Sequence, residues 1–340
     1  MLTRLLPLLL LTLLCTCDRA PAPPAVAKNG LHRLQGEAMG SYYRVTYQGA
    51  PVRGLQEQID SLLDAYNLEL SAWVAESTLN AFNASTAGVD LAGTRHFMPN
   101  LELAARVYAA TDGAYDPTVA PLTKYWGFNT GQPRTTAVVD RAAVDSLLQL
   151  VGFDRVERQG TFLRKTVPGV QLDLNASAKG YGVDLISELL RDAGRPNHLV
   201  DVGGEMRGGG QKFGGPWRVG VRLPDEDKAK IARAGTLPLA NGRAIATSGN
   251  YLAYYKVDGA TFSHTINPKT GLTERNRLLS ASVLAPDCAT ADAFATACMV
   301  LGPEAALDLV EGRAELEGYF LVRAADGSLA TLKSTGLREK

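Results

Sequence analysis

Apolar and polar residues alternate along 41–47, a stretch rich in Tyr, Val and Thr, and that period of two predicts a half-buried strand near the start of the folded chain. The period then lengthens. Leu55, Ile59, Leu62, Leu63, Tyr66 and Leu70 recur at the spacing of one helical face. A second helix is expected over 99–111, with Pro99 in its first turn, and a third over 140–150, stopped by Gly152. Beyond it come short strand-like runs at 161–165, 170–174, 198–202, 217–223, 243–247, 252–257, 261–265 and 279–284, divided by Gly, Pro, Asn or Asp. Helical patterns interrupt them at 178–192 and 290–301, and another follows at 303–310. This order predicts a mixed α+β fold, and the lack of a fixed-period repeat removes solenoids and propellers. The charged stretch 225–230 reads as a solvated loop or helix start.

The first residues read as a leader. Arg4 precedes an apolar run over 5–14, too short to span a bilayer and matched in length to the core of a signal peptide. Cys15 and Cys17 follow where that run ends, at the place of a bacterial lipid-acceptor cysteine, and Leu14-Cys15-Thr16-Cys17 favours Cys17 although Thr16 is an imperfect neighbour. A plain cleaved signal or a short anchor is the alternative. Residues 20–27, rich in Ala and Pro, read as a semi-rigid spacer. The expected organisation is a signal peptide at 1–17, a linker at 18–33 and a folded domain at 34–335. The expected location is exported, on the periplasmic side of a bacterial membrane and held there by lipid.

Composition narrows the partners. With 35 Lys+Arg against 35 Asp+Glu, the chain lacks the basic surplus that nucleic acid or an acidic membrane surface requires, so no nucleic-acid partner is expected. A length of 340 residues exceeds what one core usually holds, which implies two lobes or two domains. Cys288 and Cys298, ten apart, fit neither a CxxC nor a zinc pattern and read as buried thiols, with a disulfide as the alternative in an oxidising compartment.

The run 208–215 has glycines and a Lys without the Walker spacing and reads as a flexible loop. On a helix over 290–301, Asp292 and Thr296 stand at i and i+4, so a carboxylate and a hydroxyl leave one face near the helix start, as a hard cation requires. The bland reading is an Asp satisfied by the helix dipole and a back-bonded Thr. Asp173-Leu174-Asn175-Ala176-Ser177-Ala178-Lys179-Gly180 gives a strand end and a helix start near Ala178, aiming N–H groups, a carboxylate and a Lys at one spot suited to phosphate; an ordinary N-cap is the alternative. His264 sits where a strand runs into the Pro268–Gly271 turn and is the histidine placed to act as a base. His32, His96 and His198 have no such company.

Taken together these segments resemble the ApbE family, flavin transferases that use FAD to flavinylate other proteins. The blocks are Met39-Gly40-Ser41; Leu70-Ser71-Ala72-Trp73 with Ser77 to Asn83; Asp112 to Leu122 with Trp126-Gly127-Phe128; Leu172-Asp173-Leu174 with Lys179-Gly180-Tyr181; and Val200 to Glu205. Ala246 to Tyr251, Ser263 to Gly271 and Ala291-Asp292 to Thr296 complete the order. The resemblance implies an α+β flavin-transferase fold, with mixed sheets and flanking helices in two lobes around an FAD cleft.

It further implies that Met39, Trp73, Ala114, Tyr115, Asp116, Asp173, Lys179 and Ile266 contact FAD, the substrate. The backbone oxygens of Ala176 and Ala295, with Asp292 and Thr296, are implied to hold Mg2+. The implied reaction moves FMN from FAD to a Thr hydroxyl of an acceptor flavoprotein and releases AMP, with His264 taking the hydroxyl proton and Asp116 or an acceptor group as the alternative. The implied acceptors are flavoprotein subunits of extracytoplasmic electron-transfer complexes. An Mg-dependent FAD pyrophosphatase and a non-catalytic FAD-binding lipoprotein are the competing readings. Asn250 and Asn267 stand where the family often has Asp, which keeps hydrogen bonding and removes charge.

Overall fold

The computed structural model describes residues 30–128, 135–222, 233–250 and 254–338. The leader with Cys15 and Cys17, the 20–27 spacer, the charged stretch 225–230 and the first part of the strand expected at 252–257 lie outside the described residues. The strands are β1 (Leu31–Ala38), β2 (Ser41–Gln48), β3 (Gly88–Asp90), β4 (Val156–Gln159) and β5 (Phe162–Lys165). Next come β6 (His198–Val202), β7 (Glu205–Gly209), β8 (Trp217–Arg222), β9 (Arg233–Leu239) and β10 (Ala244–Gly249). The last are β11 (Tyr254–Val257), β12 (Ala260–Ser263), β13 (Leu278–Ala285), β14 (Glu317–Arg323) and β15 (Leu329–Lys333). The helices begin with α1 (Leu55–Leu70), α2 (Thr78–Ala84), α3 (Phe97–Ala110), α4 (Ala120–Tyr125) and α5 (Arg141–Leu148). They continue with α6 (Asn175–Asp192), α7 (Cys288–Leu301), α8 (Pro303–Glu311) and α9 (Thr335–Arg338).

A central antiparallel sheet runs β1-β2-β6-β7-β10-β13-β14-β15, and smaller sheets run β3-β5-β4, β8-β9 and β11-β12. Alternation along β10 shows how the central sheet is covered on both sides. Ala244 and Ala246 bury among residues of α6 and α7, whereas Ile245 between them joins Trp217, Val219 and Leu239 of the β8-β9 hairpin. Helix α7 is buried nearly all round, and its alanines let it lie close against the sheet. The helical spacing read at 55–70 is the face that α1 buries through Leu55, Ile59, Leu63, Tyr66 and Leu70. Met39 and Gly40 both take positive φ in the two-residue β1-β2 turn, which matches the twist of a hairpin.

Several sequence expectations need correction. Residues 170–174 bury alternate side chains, Val170, Leu172 and Leu174, but pair with no strand. At Leu172 the bonding comes from a side chain: Asn83 Nδ2 donates to the Leu172 carbonyl at 2.9 Å, and its Oδ1 accepts from the Leu172 N–H at 2.7 Å, while the Asp173 N–H donates to the Pro117 carbonyl at 2.7 Å. Helix α6 begins at Asn175 rather than near Ala178, because the Leu174 carbonyl already accepts from the N–H groups of Ser177 and Ala178. The glycine run is not a loop throughout. Gly208 and Gly209 complete β7, and Lys212 and Gly215 close a turn by reciprocal backbone bonds.

Strand β1 starts at Leu31, inside the stretch expected as linker, and buries Leu31 and His32. Strands β14 and β15 were not anticipated; β14 is buried from Glu317 to Val322, so it lacks the alternation that marks a half-exposed strand. Cys288 and Cys298 are buried free thiols. Among the described residues no helix is long and apolar enough to cross a membrane.

Candidate active site

Helices α6 and α7 cross beneath a cleft of about 410 Å³. Their separation is set by one residue without a side chain. A Cβ on Gly180 would lie 2.3 Å from the Cys288 carbonyl oxygen, so the helices approach at a distance only glycine permits. The start of α7 is fixed further by α6: the Asp184 carboxylate accepts the N–H groups of Cys288 and Ala289 at 2.9 Å and pairs with Arg207 at 2.7 Å. Asp287 caps the same helix through the Thr290 N–H.

This joint places Asn175, Ala176 and Lys179 of α6 in one cleft with Asp292 and Thr296 of α7. Asp292 Oδ2 accepts from the Gly180 N–H at 3.0 Å, and Thr296 Oγ1 lies 3.2 Å from Ser248 Oγ. Lys179 Nζ donates to Glu205 Oε1 at 2.6 Å, while Glu205 Oε2 is buried without a partner. Two buried carboxylates therefore share one ammonium. Burial, and then the charge of Glu205, push Asp292 up to about 8, with Lys179 opposing. For Lys179 burial works against the charge, but Glu205 and Asp292 outweigh it and raise its pKa.

A cation bound beside Asp292 would favour its ionised form against the neighbouring Glu205. The side chains at hand on this side of the cleft are the Asp292 carboxylate and the Thr296 and Ser248 hydroxyls, all oxygen, and among the described residues there is no cluster of three His, Cys, Asp or Glu side chains that could hold a metal. Such an open oxygen set fits Mg2+, which keeps waters and takes phosphate oxygens, better than a cation needing a full protein cage.

The facing wall is built from Ala114, Tyr115 and Asp116 and from the chain that leaves β12 through His264, Thr265, Ile266 and Pro268. Tyr115 Oη donates to Ser177 Oγ at 3.3 Å, and Ser177 Oγ donates to Asn100 Oδ1 at 2.9 Å. Asp116 Oδ1 accepts from the Thr118 N–H at 2.7 Å and from Thr118 Oγ1 at 2.5 Å. Burial nonetheless pushes Asp116 up to about 6, because those bonds only partly offset desolvation. The His264 ring meets Phe128 edge-on, with centroids 6.5 Å apart.

Of the residues expected from sequence, Ala114, Tyr115, Asp116, Asp173, Ala176, Lys179, His264, Ile266, Asp292 and Thr296 line this cleft. Met39, Trp73 and Ala295 do not. Met39 turns toward α6, where a Cβ on Gly182 would meet its Cε at 2.5 Å. Trp73 is 66% exposed, and Ala295 is fully buried in α7. Sequence reading missed Glu205, Asn175, Thr247, Ser248 and Thr265. The signal for Glu205 was the paired Gly203-Gly204 turn between β6 and β7, which sets a buried carboxylate at the start of β7.

The model of the ApbE family matches residues 39–320. A Vibrio cholerae relative named FAD:protein FMN transferase is 33% identical over 299 residues, covering 86% of this chain and 88% of its own. One from Klebsiella pneumoniae with the same name is 34% identical over 324 residues, covering 93% and 91%. A solved flavin transferase ApbE from Vibrio cholerae superposes with a TM-score of 0.80 at 32% identity, covering 91% of this chain and 98% of that one. The apo flavinyl transferase ApbE of Pseudomonas stutzeri gives 0.79 at 30% identity, covering 91% and 96%. The matched span encloses every residue that lines the cleft, from Ala114 to Val300, and the chain belongs to the ApbE family.

Proposed function

We propose that the chain, a transferase by its family, moves FMN from FAD to a Thr hydroxyl of an acceptor flavoprotein with the help of Mg2+. The observation that carries this reading is the convergence of Asp292, Thr296, Ala176 and Lys179 opposite His264 in one cleft. The Thr oxygen attacks the FMN-side phosphorus, a new P–O ester forms, the bond to the AMP phosphate breaks, and AMP leaves with the bonding pair. The hydroxyl proton passes to a ring nitrogen of His264. Phosphoryl transfer of this kind depends on positioning and charge neutralisation more than on covalent help.

Lys179, held by Glu205, supplies positive charge beside the pyrophosphate. Asp292, Thr296 and the Ala176 carbonyl are the ligands proposed for Mg2+, which supplies neutralisation of the pyrophosphate oxygens. Ala295, Met39 and Trp73 are proposed from the resemblance alone, Trp73 offering an exposed ring for stacking. The apolar leader and Cys15 or Cys17 support export and a lipid anchor on the periplasmic side of a bacterial membrane. There the acceptors are subunits of extracytoplasmic electron-transfer complexes.

The test incubates the purified chain with FAD, magnesium and a Thr-containing acceptor domain and follows intact mass. The expected result is an acceptor gaining the mass of FMN, equimolar AMP, and a loss of about a hundredfold or more in rate for Asp292→Ala or on chelation. Free FMN with an unmodified acceptor would instead make the chain a pyrophosphatase, and FAD retained intact would make it a carrier.

A further inference from the structure

The segment that presents His264 returns as a short hairpin. Its register is set by the Glu274 N–H donating to the Thr265 carbonyl at 2.8 Å, by a bridge between Ile266 and Thr273, and by the Asn267 N–H donating to the Leu272 carbonyl at 2.8 Å. His264, Ile266 and Pro268 line the cleft, whereas Asn267 and Glu274 do not. Those two half-buried side chains meet each other instead, as a diagonal cross-strand pair, with Asn267 Nδ2 donating to Glu274 Oε1 at 2.7 Å.

The turn itself fixes which way the amide points. Asn267 Oδ1 accepts the N–H groups of Lys269 at 2.9 Å and Thr270 at 3.3 Å, so only Nδ2 is left to face the carboxylate. Glu274 Oε2 accepts from Asn276 Nδ2 at 3.5 Å, and Asn276 Nδ2 also donates to the Met299 carbonyl of α7 at 2.8 Å. The pair therefore links the back of the His264 wall to the helix that carries Asp292. An aspartate at 267 would keep the turn, lose the donor and set a second carboxylate against Glu274.

We propose that Asn267 and Glu274 are positioning residues, a matched pair that holds the His264 wall in place, and that this chain needs an amide at 267 because it carries a carboxylate at 274. The effect on catalysis rests on the FMN-transfer reading; the pairing itself does not. The experiment is a double-mutant cycle on the full chain with Asn267→Asp, Glu274→Gln and both together. It reads kcat and KM for FAD, and the rate at which diethylpyrocarbonate modifies His264, followed by peptide mass.

Asn267→Asp is expected to lower kcat roughly tenfold or more, with KM changed less than about threefold, and to shift the His264 modification rate. Adding Glu274→Gln is expected to restore both readouts to within about threefold, because the introduced amide can donate to the introduced carboxylate. A double variant no better than Asn267→Asp alone, or Asn267→Asp within about threefold of the parent, overturns the proposal. Should Asn267→Asp fail to fold, Glu274→Ala, which strands Nδ2, is compared with Glu274→Gln, which keeps an acceptor; equal kcat and equal modification rates for the two overturn it as well. A parent chain that transfers no FMN removes the kinetic readout but leaves the modification cycle intact, so the two readings fail separately.

Discussion

The wall of the cleft that carries Asp292 and Thr296 rests on a direct backbone approach of two helices, whereas the hairpin that carries His264 is tied to its surroundings by side chains. On the first, α6 and α7 touch at Gly180 and Cys288, and α7 starts from N–H groups held by Asp184. On the second, Asn250 Oδ1 accepts from Ser263 Oγ at 2.5 Å and Thr265 Oγ1 at 2.7 Å, and Trp126 Nε1 donates to the Gly271 carbonyl at 2.7 Å. Backbone contact has no spare room, so change there is all or nothing. Side-chain contacts can be weakened one at a time, so change on the His264 side should be graded.

Gly180→Ala should have the largest effect. The added carbon would meet the Cys288 carbonyl and the Ala289 backbone, neither of which can rotate away, and the expected cost is about 3 kcal/mol or more with loss of transfer. Urea unfolding checks it; a cost under about 1 kcal/mol would show that the helices can separate freely and that the first wall is not rigid.

Asp116→Asn sharpens the other side. The folded pKa of Asp116 is raised to about 6 from 3.8, so its contribution to stability is present below about pH 4 and is lost as pH rises through about 6. The shift of about two units corresponds to at most about 3 kcal/mol. Urea-derived stability of the parent should therefore fall more between about pH 4 and pH 7 than that of the amide variant, and parallel profiles would refute it.

Asn250→Ala should cost least, about 1–2 kcal/mol in stability and roughly tenfold in transfer rate, since two hydroxyls lose one shared acceptor. Unfolding and steady-state kinetics measure it together. Equal losses from Asn250→Ala and Gly180→Ala would erase the distinction between the walls.

The parts of the site legible in the sequence were those expressed in a single local period. Asp292 and Thr296 stand one helical turn apart, and any helix there puts them on one face, as α7 does. The polar run from Asp173 to Lys179 marked a helix start, displaced by three residues from where it was expected. What was illegible depended on contacts distant in sequence. Glu205 reaches the cleft only because β7 pairs beside β6 and β10, and the strand at 170–174 looked real because burial alternates there while its partners are the Asn83 side chain and the Pro117 carbonyl rather than a strand. Trp73 and Met39 entered through the resemblance, and no local period carries either into the cleft lining.

That asparagine acts as a one-residue sheet. Asn83 presents to Leu172 the same donor and acceptor that a neighbouring peptide unit would, and so holds the chain just before Asp173 where Asp173 can line the cleft. A strand spreads such a task over several residues and tolerates losing one; here it rests on this one side chain at Leu172 and on the Pro117 carbonyl, which accepts the Asp173 N–H at 2.7 Å. The amide proton of Leu172 should accordingly exchange with solvent at the rate at which one side chain swings away, a local clock independent of the opening of any β-strand.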